Sequence, residues 1–75
     1  MKEHFELWHL GSRNLVGTYA TEAEALAEVA AMAAHYGPDA VTDFLLGAEN
    51  ARGRSREIAS GAALVDRARA ATPAG

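Results

Sequence analysis

The sequence predicts an α+β domain of order ββαββα, an antiparallel sheet of three or four strands with two helices. Two observations carry most of that reading. Residues 4–10, His-Phe-Glu-Leu-Trp-His-Leu, alternate in polarity and include two aromatics, the period of a strand. Residues 21–36 begin with T-x-x-E and then repeat apolar side chains at 3-4 spacing, the pattern of a capped amphipathic helix. A third is size: 75 residues leave room for a single domain, here placed at residues 1–71 with 72–75 as a frayed tail.

The first strand runs to Leu10 and turns at Gly11-Ser12-Arg13-Asn14, where Gly and Asn accept left-handed dihedrals. Leu15–Ala20 returns as the second strand. A turn symmetric about Ser12-Arg13 pairs Leu10 with Leu15, Trp8 with Gly17 and Glu6 with Tyr19 on one face. The other face then pairs His9 with Val16, Leu7 with Thr18 and Phe5 with Ala20. Both faces come out half apolar, whereas a sheet covered on one side only shows a polar outer face. Trp8, Leu10, Leu15, Gly17 and Tyr19 are therefore the expected interface, buried by a second copy or another protein.

Thr21 is the expected N-cap of the first helix, with Glu22 and Glu24 favourable in its first turn. The helix starts at Glu22 and stops at Gly37-Pro38, and His35 suits its last turn. Its buried stripe reads Leu26, Val29, Ala33 and Tyr36, with Met32 beside it. Ala40–Ala48 reads as the third strand, Glu49–Gly53 as a loop and Arg54–Ala59 as a short fourth strand. Ser60 is the expected N-cap of a second helix ending at Ala71, with Leu64, Val65, Ala68 and Ala71 as its stripe. Ala20-Thr21 followed by Leu26 resembles Ala59-Ser60 followed by Leu64, but the spacings differ by one, so no repeat is assigned.

Composition bounds the function. Eighteen alanines make up about half of the hydrophobic residues, which leaves a thin core and favours a staple from self-association. The absence of cysteine excludes disulfides, thiolate catalysis and Cys-ligated zinc. No apolar run spans a bilayer, and the acidic, polar start Met1–Glu6 is unlike a signal peptide, so a cytoplasmic, bacterial-type protein without membrane contact is expected. The net charge of −3 is split: two basic against eight acidic side chains up to residue 50, and five arginines against Glu57 and Asp66 thereafter. With pI near 5.5 the chain is not a general nucleic-acid binder.

Few groups suggest chemistry. His4 and Glu6 share a strand face while His9 points the other way, so no three metal ligands converge locally and no metal or cofactor is expected. Ser12, Ser55, Ser60 and the threonines lie outside any G-x-S-x-G elbow, and no phosphate-cradling glycine loop occurs. The chain is therefore expected not to be an enzyme. Arg52, Arg54 and Arg56 alternate, so in an extended segment they share one side and offer forks for phosphate or carboxylate.

Trp8–Ala25 resembles small bacterial proteins of no assigned activity that share a W…GN-L-x-G-x-Y/F-x-T-x-x-E-A opening. Ala59–Leu64 resembles the A-x-G-A-x-L helix start found later in the same proteins. The inner stretch Gly17–Ala25 is also similar to strand-to-helix junctions of integrase arm-binding domains and of SPOR domains. Arm-binding domains are lysine-rich where this half is acidic, and SPOR domains usually follow an anchor or export signal. What the resemblance implies is architecture: a strand ends, threonine caps, and acidic residues meet the helix dipole. The expectation is a small cytoplasmic interaction or regulatory module that self-associates. The alternative is an antitoxin-like nucleic-acid-associated protein using the 52–56 arginines, with a ligand binder or enzyme third.

Overall fold

The computed structural model describes residues 3–71. Its elements are β1 (His4–His9), β2 (Asn14–Tyr19), α1 (Glu22–Tyr36), a 3-10 turn (Pro38–Val41), β3 (Phe44–Glu49), β4 (Ser55–Ser60) and α2 (Gly61–Ala71). The strands form one sheet in the order β2-β1-β3-β4, every neighbour antiparallel. The expected ββαββα order is thus present; the tail assigned to 72–75 lies outside the described residues. α1 packs on β1 and β2, α2 packs on β3 and β4, and the helices pack on each other. Both therefore cover the same face of the sheet.

α1 has the predicted limits because its ends are chemically specified. Glu24 N–H donates to Thr21 Oγ1 at 3.2 Å and Thr21 N–H donates to Glu24 Oε1 at 3.2 Å, closing the capping box. At the other end Gly37 takes φ 94°, and its N–H returns to the Ala33 carbonyl. Ala25, Leu26, Val29 and Ala33 are buried, but Tyr36 is 71% exposed. It occupies the last helical position, where its ring lies edge-on to His35 rather than against the sheet.

The third strand begins later than expected. Pro38 at the start of the 3-10 turn presets its φ, and the Thr42 hydroxyl donates to the Asp39 carbonyl at 2.9 Å. Val41 still enters the core, from the turn rather than from a strand. β4 lies one residue later than expected and runs into α2 without a loop. The reversal falls on Gly61 at φ 58°, a conformation that favours glycine. Ser60 is accordingly the last strand residue, and its hydroxyl donates to Glu57 at 3.5 Å. The α2 stripe is Leu64, Val65 and Ala68; Ala71 is exposed.

The hairpin register differs from expectation. His9 pairs with Asn14 and Trp8 with Leu15; after a bulge Leu7 pairs with Gly17, Glu6 with Thr18 and Phe5 with Tyr19. The four-residue loop is Leu10–Arg13, one residue earlier than predicted. Two observations account for the shift. The Leu10 N–H donates to the Asp43 carbonyl at 2.8 Å, drawing Leu10 towards β3, and Arg13 takes the left-handed position at φ 58°. A one-residue slip moves a strand's side chains to the opposite face. Gly17 and Tyr19 thus lie on the helix side with Leu7 and Phe5. Tyr19 itself lies over Gly17, where an added Cβ would sit 2.8 Å from the phenol oxygen.

The core joins Phe5, Leu7, Leu46 and Ala48 of the sheet to the two helix stripes and Val41. It contains an internal repeat at a constant offset of 39 residues: Phe5 and Phe44, Leu7 and Leu46, Tyr19 and Ile58, Ala25 and Leu64, Leu26 and Val65, Val29 and Ala68. The counterpart of Leu26 is Val65, not Leu64, which removes the one-residue discrepancy seen in the sequence.

The register predicts opposite outcomes at two positions. Tyr19→Ala should cost about 1–3 kcal/mol, whereas Leu10→Ala should stay within about 0.5 kcal/mol of the parent. Urea denaturation of the two variants checks this; a larger loss for Leu10→Ala would contradict the register.

Candidate functional site

The face without helices is built by strand alternation. Because Phe5 and Leu7 point to the core, His4, Glu6 and Trp8 point away from it. The pairings extend these positions into rows: Leu15–Trp8–Leu45–Ser60 at one end, Thr18–Glu6–Gly47–Glu57 in the middle, and His4–Glu49–Ser55 at the other end. One end is therefore apolar and the other carries imidazole and carboxylate. Gly47, without a side chain, leaves a shallow depression between Trp8, Leu45 and Glu57.

A hydrogen-bonded line runs along β1. The Trp8 indole N–H donates to Glu6 Oε1 at 3.4 Å. Glu6 Oε2 lies 3.2 Å from His4 Nε2, and the same nitrogen lies 3.2 Å from Glu49 Oε1. These three ionisable groups come within 4.8 Å of one another. His4 and Glu6 share a face as predicted, and the third group arrives from β3. The sequence signal was the H-x-E alternation alone; the pairing that adds Glu49 is non-local.

The expected interface residues separate. Trp8 and Leu15 are neighbours on the open face, joined by Leu45, which sequence reasoning had not singled out. Leu10 sits in the hairpin loop, 46% exposed, and Gly17 and Tyr19 belong to the helix side. The arginines separate as well. Ala51–Gly53 is a turn, where Asn50 Oδ1 accepts from the N–H groups of Arg52 and Arg54. Only Arg56 lies in β4, and its guanidinium donates to both carboxylate oxygens of Glu3, at 3.3 and 3.2 Å. Arg67 donates to Glu22 at 2.7 Å. Hydrogen bonding first, and then the carboxylate charge, raises both arginines' pKa values above the ordinary value.

At the hairpin tip, His9 Nδ1 is 2.7 Å from Ser12 Oγ and accepts from the Ser12 N–H at 3.3 Å, while Nε2 is 3.5 Å from Asp43. With Nδ1 accepting, Nε2 carries the proton and faces the carboxylate. The array has hydroxyl, imidazole and carboxylate in sequence, but the His9 and Asp43 side chains are 38% and 57% exposed. The water-excluding enclosure that strengthens such an array in hydrolases is not built around it. Its evident work is to close the loop.

Among the described residues no helix is long and apolar enough to cross a membrane. Comparisons with protein-family models, with curated proteins and with solved structures find no match to this chain.

Burial, and then the charge of Glu28, raises the Tyr19 phenol above its ordinary pKa of 10.0. The folded state thus holds this proton more tightly than the unfolded chain. Its contribution to stability is complete below pH 10.0 and is lost as pH rises through the folded-state value. Urea midpoints should fall on going from about pH 9 to about pH 11, and Tyr19→Phe should flatten that fall. An equal fall in the variant would assign it to other groups.

Proposed function

We propose that this chain is a small cytoplasmic interaction module without catalytic activity of its own, and that it self-associates through the Trp8 end of its open sheet face. The observation that carries the reading is the row Leu15–Trp8–Leu45. It is a contiguous apolar strip on the face no helix covers. Edge strand β2 continues the strip. Its sequence Asn-Leu-Val-Gly-Thr-Tyr has no proline and no charge, and Leu15 and Val16 are 45% and 43% exposed.

A second copy is the occupant that fits best. The opposite edge, β4, carries Arg56 and Glu57, the charged guard that keeps edges from pairing, while β2 has none. A two-fold operator brings the same unguarded patch onto itself and closes the assembly at two chains. The alanine-rich core adds a reason, since small domains with little large apolar volume gain most from such burial. The lack of cysteine fits a reducing compartment.

Sedimentation equilibrium of the untagged protein should give a dimer, and Trp8→Ser should give a monomer with unchanged far-ultraviolet circular dichroism. A monomeric parent, or a Trp8→Ser variant of unchanged mass, would overturn the reading.

A further inference from the structure

We propose that His4, Glu6 and Glu49 form a site for a first-row divalent transition-metal ion, with zinc the best match. The site lies at the far end of the open face from Leu15–Trp8–Leu45 and does not require self-association.

The case begins with proton supply. One imidazole nitrogen, His4 Nε2, has two carboxylate oxygens at 3.2 Å, one from Glu6 and one from Glu49. A ring nitrogen carries at most one proton, so it cannot give each carboxylate a full hydrogen bond, and the two negative groups share one donor between them. A dication at the centre accepts the imidazole lone pair and one oxygen from each carboxylate, and it balances both charges. The spacing suits this. Each carboxylate oxygen lies 3.2 Å from the ring nitrogen, and a nitrogen–oxygen pair at that spacing, each ~2.1 Å from an ion, subtends roughly 100° there, close to the angle of a tetrahedral zinc site.

The surroundings support the same ion. The Trp8 indole N–H holds Glu6 Oε1 and leaves Oε2 turned towards His4, the outer hydrogen bond by which metal-ligating carboxylates are oriented. His4 and Glu49 lie directly opposite in an unbroken stretch of ladder, so their separation is set by two paired strands rather than by a loop. The side chains of His4, Glu6 and Glu49 are 44%, 22% and 33% exposed, which gives an ion access and leaves room for water as a fourth ligand. One imidazole with two carboxylates favours zinc over calcium or magnesium, which take oxygen ligands.

The test is calorimetric titration of the chelator-treated chain with zinc chloride. It should show one saturable zinc per chain, weakened at least about tenfold in both Glu49→Gln and His4→Gln and unchanged in His35→Gln. The unsubstituted protein gives a second readout that needs no variant: zinc should move the ring resonances of His4 in a nitrogen-15 spectrum and leave those of His35 in place. Absence of saturable binding, binding that survives both substitutions, or a shift centred on His9 or His35 would overturn the proposal.

Discussion

The antiparallel pairing of β1 with β3 is the constraint on which the rest of this structure depends. It runs without a bulge from His4↔Glu49 to His9↔Phe44, while each outer pairing contains an irregularity. A lone hairpin is marginal in water, and each half of this chain is a hairpin followed by a helix. Setting Leu7 beside Leu46 joins the halves, and both side chains are completely buried. The same register acts on the opposite face: Leu45 beside Trp8 completes the apolar row, and Glu49 beside His4 completes the ionic one. Core and candidate site are two sides of a single ladder.

The repeat shows how the large side chains of an alanine-rich chain are distributed over its core. Equivalent positions need not carry equal volumes, provided the two halves compensate. Ala25 on α1 answers Leu64 on α2, and Val29 answers Ala68. At these two positions a small side chain in one half thus has a larger counterpart in the other. The uneven charge of the chain has a related role. The acidic first half and the arginine-bearing second half meet at Glu3–Arg56 and Glu22–Arg67. Arg56 lies opposite Ala48, which in turn lies opposite Phe5, so the Glu3–Arg56 pair joins the outer strand β4 to the start of β1. Two of the five arginines after residue 50 are thus held by the chain's own carboxylates.

Local chemistry was legible in the sequence and distant chemistry was not. The limits of α1 followed from Thr21, Glu24 and Gly37, residues that satisfy or terminate their own helix. The hairpin loop did not follow, because a four-residue turn fits residues 10–13 as well as 11–14. A long-range hydrogen bond from Leu10 to Asp43 favours the earlier position. That one-residue difference separated Gly17 and Tyr19 from Trp8 and Leu15, splitting the expected interface. Val41 is apolar and so predicts a strand from Ala40, but it is buried from a 3-10 turn, and apolarity alone does not distinguish a strand from a turn. Glu49 borders the polar stretch that predicts a loop, and only the pairing of β1 with β3 brings its carboxylate to His4.

Glu6 links the two ends of the open face. One of its oxygens accepts from Trp8 and the other faces His4, so the carboxylate belongs both to the apolar row and to the ionic cluster. Gly47, its neighbour on β3, has no side chain to screen it, and Thr18, its neighbour on β2, is small. The carboxylate is therefore held by its partners along β1 rather than by packing from the sides. Alternation along β1, two residues at a time, thus joins the apolar row to the ionic cluster through one carboxylate.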